Sequence, residues 1–248
     1  MSQNIHSSDD INIMTDEIRS QNPILIEGFP GIGLVGNIVS QHLIDSLKME
    51  YRGSIDSRFF PPIAVLYEGL INMPVRIYES EEHNLLLVVS DIPINPAVSY
   101  DIGKKLIEWA KSINVKQIVS IAGISTMEDE TKVFGAATDE NMLNMLKDNV
   151  EIFQMGTISG ISGSVMTECM VRKMPAISLL GGTQTQNPDP RAAAAVIEVL
   201  NKLYDLSIDT ESLFEQAERI ELEMQRLAED VKSSEEGQQP RKEFPMYG

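Results

Sequence analysis

The run Ile24-Leu25-Ile26-Glu27-Gly28-Phe29-Pro30-Gly31-Ile32-Gly33-Leu34-Val35-Gly36 constrains this chain more than any other stretch. An apolar segment with two β-branched isoleucines feeds directly into a cluster of glycines. Beyond it Leu34, Val35, Ile38, Val39, Leu43 and Leu47 recur at steps of three and four, the spacing of one helical face. The unit therefore reads as buried strand, tight turn and amphipathic helix. A helix with one apolar face is buried by packing back onto its sheet, so an α/β layer architecture follows.

Gly31, Gly33 and Gly36 satisfy G-x-G-x-x-G with a strand before and a helix after, the context that a dinucleotide fingerprint requires. Two jobs compete for these glycines. They let backbone amides approach a phosphate at the helix N-terminus, or they turn the chain and seat helix on sheet with no ligand at all. A dinucleotide site also needs a second strand ending in an acid about 20 residues on. Here Lys48 to Asp56 is too polar and too broken for a buried parallel strand, and no Gly-Lys-Ser/Thr follows, which excludes a Walker phosphate loop. Close packing is the stronger reading, with nucleotide or phosphate binding as its alternative.

The alternation of strand and helix continues downstream. Residues 63–67 and 75–78 read as strands that form a hairpin or a neighbouring pair, and Leu85 to Val89 as a strand covered on both faces. Pro96 opens a helix to about Ser112, and Gln117 to Ala122 is the next strand. Lys132 to Ala137 follows, then a short helix capped by Asp139, a strand at 150–153, and a second glycine-rich turn at 156–164 that leads into a helix. Gly160 and Gly163 in that turn invite the same two readings as the first. Ala176 to Leu180 is the last core strand. Asp189 and Pro190 then start a helix to about Tyr204, the first as cap and the second filling the first helical position. The expected fold is a mixed, mostly parallel sheet flanked by helices, spanning residues 23–206 after a partly ordered segment 1–22.

With 248 residues, 42% of them hydrophobic, this core is well supplied. A formal charge of −17 argues against nucleic acid and anionic membrane as main partners, because both call for clustered Lys and Arg. No apolar run approaches the roughly 18 residues of a membrane span. The single cysteine, Cys169, forms no intramolecular disulfide and suits a reducing cytoplasm. His42, one of three histidines with His6 and His83, is read as a surface or packing residue rather than a ligand.

From residue 207 the pattern changes. Leu213, Ala217, Ile220, Met224 and Leu227 alternate steps of four and three, a heptad seam in an acidic helix over 207–232. The helix either lies on the core or pairs with another helix, and the narrow seam favours pairing, either within an oligomer or against the preceding helix. Residues 233–248 are polar and should form a mobile tail, yet they end on Phe244-Pro245-Met246-Tyr247-Gly248. A penultimate Tyr offers a flat apolar face with a hydroxyl, and Met246 adapts to an irregular groove. The terminal carboxylate of Gly248 suits a Lys in a pocket.

Taken together, the run from Ile26 to Gly36, the block Gly160-Ile161-Ser162-Gly163, and Asp189-Pro190 before an alanine-rich helix resemble the archaeal proteasome assembly chaperone family. The resemblance implies an α/β core similar to nucleoside phosphorylases, a homo-oligomer, and ATP-independent binding to proteasome α subunits of the core particle. It also implies that Met246, Tyr247 and Gly248 form a docking motif of a hydrophobic residue, a Tyr and any last residue. Several tails on one oligomer would bind with avidity. On this reading the chain is a non-enzymatic chaperone or core-particle regulator with no cofactor and no metal. One rival is an enzyme using the two glycine turns, with Glu27, Glu68 and Asp91 as metal or base groups, although no catalytic constellation is visible. Another is a coiled-coil scaffold with an idle tail.

Overall fold

The strand Ile24–Gly28 is buried at every position and forms the middle of a nine-stranded sheet. The computed structural model describes residues 10–67, 69–127, 131–220 and 222. In chain order its elements begin with β1 (Ile11–Thr15), β2 (Ile24–Gly28), α1 (Val35–Ser46), β3 (Glu50–Ser57), β4 (Val65–Tyr67) and β5 (Leu70–Asn72). Next come β6 (Val75–Ser80), β7 (Leu85–Ser90), α2 (Pro96–Ser112), β8 (Gln117–Ser125) and β9 (Val133–Ala137). The rest are α3 (Glu140–Leu146), β10 (Glu151–Ile152), α4 (Gly160–Arg172), β11 (Ala176–Thr183) and α5 (Pro190–Tyr204).

The sheet order is β1-β3-β6-β7-β2-β8-β11-β9-β10. β7, β2, β8 and β11 run parallel, with Glu27 opposite both Val88 and Ser120. Toward β1 the pairing is antiparallel, and β9 lies antiparallel to β11. The mixed α/β expectation therefore holds, with parallel pairing concentrated where helical crossovers connect the strands. Two apolar layers cover the sheet. Val35, Val39 and Leu43 of α1 meet Val196, Ile197 and Leu200 of α5 on one face. Ile102 and Leu106 of α2 meet Val165 and Cys169 of α4 on the other. The expected caps are present: the Asp139 carboxylate accepts from the amides of Asn141 and Met142, and that of Asp189 from Ala192.

Two local readings are corrected, and one holds. The polar stretch after Lys48 is no parallel strand beside β2: it forms β3, which is antiparallel and separated from β2 by β6 and β7. Its polar residues are tolerated because Arg52 is paired: its Nε donates to Glu79 Oε2 at 2.6 Å and an Nη to Glu50 at 2.5 Å. β4 pairs with β5 rather than with the strand at Val75, which joins the main sheet instead. Gly69, with φ of +80°, lets the chain reverse after Tyr67, so a short hairpin closes before β6 begins. Finally, the core does not end near residue 206. Leu206, Ile208 and Leu213 belong to the layer built by α1 and α5.

Candidate functional site

The two glycine turns, 132 positions apart from Gly28 to Gly160, converge on one cavity of about 240 Å³. The first follows β2 and the second opens α4, so both stand at the C-terminal ends of the parallel strands. This is where an open α/β sheet leaves a crevice. Gly31, Ile32, Gly123, Ser159, Gly160 and Ser162 are among the lining residues, and among the described residues no Lys or Arg lines the cavity.

Each candidate glycine has a definable place. Gly33 and Gly160 adopt φ of +63° and +69°, which an L side chain resists. A Cβ on Gly36 would lie 2.5 Å from the Ile121 carbonyl oxygen, and one on Gly163 would lie 2.3 Å from that of Ile158. Packing accounts for those two. At Gly31 an added Cβ would meet nothing within 4 Å, so its lack of a side chain leaves room in the cavity. The first turn is also tied to the last core helix, since the Asp189 amide donates to the Gly33 carbonyl at 2.8 Å.

Beneath the cavity lies a buried polar row. Phe29, Ala122 and Leu180 line the cavity, and two residues earlier on the same strand faces stand Glu27, Ser120 and Ser178. The Ser120 hydroxyl donates to Glu27 Oε1 at 2.5 Å. Glu27 Oε2 and Ser178 Oγ are buried with no well-formed hydrogen bond. Burial pushes the Glu27 carboxyl up to about 7, against the opposing effect of Ser120, Ser162 and the Phe29 amide. The Cys169 thiol is pushed up to about 12, first by its own burial and then by the charges of Glu27 and Glu168. A thiol so protonated is inert.

The other acids named in sequence do not join this row. Asp91 pairs with Arg76, and Glu68 lies outside the described residues. Among the described residues no three His, Cys, Asp or Glu side chains are grouped to hold a metal ion, and no helix is long and apolar enough to cross a membrane.

The heptad residues divide. Residues 211–220 are helical, but Leu213 and Ala217 are 1% and 3% exposed within the chain itself. Those two were expected in an oligomer seam; instead the acidic helix begins by lying on its own core. Ile220 is half-buried. His42 Nε2 lies 2.6 Å from the Asp209 carbonyl oxygen, and the Arg191 guanidinium sits 5.9 Å over the Phe214 ring. Both contacts root this segment on α1 and α5. Met224 and Leu227, like Met246, Tyr247 and Gly248, lie outside the described residues.

Sequence reading missed two features. The Arg52–Glu79 pair was invisible because its partners are 27 residues apart on adjacent strands. The exposed hairpin β4–β5 was missed because Val65 was paired with the wrong strand; the Glu68-Gly69 dipeptide was the available turn signal.

Comparison with known proteins adds a lineage to this geometry. The family model of the PAC2 family matches residues 25–228. An uncharacterized protein of Methanocaldococcus jannaschii is 36% identical over 232 residues, which is 93% of this chain and 95% of that protein. The crystal structure of Pyrococcus furiosus PbaA, described as an archaeal homolog of proteasome-assembly chaperone, is 34% identical. It superposes with a TM-score of 0.83 over 92% of this chain and 95% of its own. P. furiosus PbaB, described as an archaeal proteasome activator, is 26% identical with a TM-score of 0.79 over 88% and 99%. Matched along most of its length by sequence and by fold, the chain belongs to the PAC2 family.

Proposed function

We propose that this chain is a non-enzymatic proteasome assembly chaperone or core-particle regulator. It acts in the cytoplasm as a homo-oligomer and engages the α-ring through its C-terminal tails without ATP. The observation that carries the reading is the near full-length likeness to PbaA at 34% identity. The likeness to PbaB, a proteasome activator, points to the same complex. The sequence Met246-Tyr247-Gly248 supplies the contact: the ring and hydroxyl of Tyr247 suit a half-apolar groove, and Met246 adapts to its walls. One tail binds weakly because ordering it costs entropy, so several on one body are needed for avidity.

The test is deletion of Met246 to Gly248, followed by native co-migration with the proteasome core particle. Loss of co-migration with an unchanged circular dichroism spectrum supports the reading, and retained co-migration defeats the tail mechanism.

A second reading rests on the convergence of both glycine turns on one cavity above Glu27. A small molecule bound there would make the chain a ligand-binding protein or an enzyme. Among the described residues the lining holds no Lys or Arg, which disfavours phosphate groups. Calorimetry with nucleotides and inorganic phosphate tests it: micromolar binding revives this reading.

A further inference from the structure

Among the described residues β4 and β5 pair as strands only with each other and stand apart from the nine-stranded sheet. A lone two-stranded hairpin is marginal in water, and this one is apolar on both faces. Leu66 faces Ile71 across one side and Tyr67 faces Leu70 across the other. Their exposures are 72%, 76%, 59% and 71%. Ile63, on the approach to β4, is also exposed. A soluble chain that leaves such a contiguous patch uncovered is marking an interaction site.

We infer that this hairpin is the surface through which copies of the chain associate. The inference deepens the multimeric body proposed above and rests on that reading for the existence of copies. Two observations choose a second copy as the occupant. The first is area. The exposed side chains of Ile63, Leu66, Tyr67, Leu70 and Ile71 present on the order of 700 Å², close to the ~800 Å² that each partner contributes to a standard interface. The second is charge. The chain carries a formal −17, so two copies repel over most of their surfaces. From Phe59 to Met73 the sequence holds a single charged residue, Glu68. An acidic protein meets itself at least electrostatic cost through such a stretch, whereas a basic partner would be drawn to the acidic faces. The assignment also replaces Leu213 and Ala217, which the chain's own core already covers.

The experiment is sedimentation velocity on the full chain, with Leu66→Glu combined with Ile71→Lys. The two positions are directly opposed, so the new charges pair across the hairpin and preserve it while removing its apolar face. A milder pair, Leu66→Thr with Ile71→Thr, retains β-forming residues and decides the matter if the charged variant is not folded by circular dichroism. The expected result is a multimeric native chain and a drop to a smaller species in the variants, with unchanged helix content. Variants that keep the native mass overturn the inference, and so does a native chain that sediments as a single copy. The tail reading is judged separately. If the variants keep their mass while deletion of Met246 to Gly248 abolishes core-particle binding, only the hairpin assignment fails. If that deletion leaves binding intact while the hairpin variants dissociate, only the tail mechanism fails.

Discussion

Glu27 and Ser120 face each other across β2 and β8, and the Ser120 hydroxyl donates to one carboxyl oxygen while the other has no well-formed partner. Among the described residues no cation offsets this carboxyl, so its ionisation is opposed by burial and its pKa stands near 7 rather than 4.5. Between those two values the native state holds a proton that the unfolded chain has lost. Stability therefore falls as pH rises through that window. A shift of this size corresponds to on the order of 3 kcal/mol. Glu27→Gln should flatten the pH dependence and raise stability at pH 8, measured by urea unfolding at pH 5 and pH 8.

Glu79 presents the opposite case. Its burial would raise the pKa, but the Ser20 amide, Arg52 and the Arg19 amide together hold it below the ordinary range. Its contribution is present above the usual carboxylate pKa and is lost as pH falls through the lowered value. Glu79→Gln leaves the buried Arg52 guanidinium with only the exposed Glu50 as its anion, and should cost about 1–3 kcal/mol. A double-mutant cycle with Arg52→Met isolates the pair.

The first turn offers a contrast between two glycines five positions apart. Gly36→Ala drives a methyl into the Ile121 carbonyl and should cost about 1–3 kcal/mol or more. Gly31→Ala meets open space and should change stability by less than about 0.5 kcal/mol. Thermal melts of the two variants check the difference.

Leu213 distinguishes a core residue from a seam residue. Buried with Leu206 and Ile208, it should lose about 2–5 kcal/mol of chain stability on substitution to Ala. The subunit number, read by native mass spectrometry, should not change.

Much of the fold was legible because its signals are local. Leu85 to Val89 is apolar throughout because apolar layers cover both faces of the sheet at this strand, and Asp139 and Asp189 cap helices through amides two or three residues away. What was not legible depends on pairing at a distance. β3 looked too polar for a buried parallel strand, and nothing local shows that Glu79 on β6 pairs with Arg52 in an antiparallel one. Leu213 fits a heptad seam and a core stripe equally well, since both recur at three and four residues, and only the packing of α1 and α5 selects between them. The glycine turns were each visible, but their meeting in one cavity follows from strand order, which no local pattern encodes.

The bond from the Asp189 amide to the Gly33 carbonyl has a consequence for biosynthesis. The corner that opens the first helix is closed by a residue at the start of the last core helix, so its final shape waits until that residue has left the ribosome. Contacts of such long sequence separation slow folding. The nascent chain must therefore carry its central strand and the glycine corner behind it unclosed for most of its synthesis.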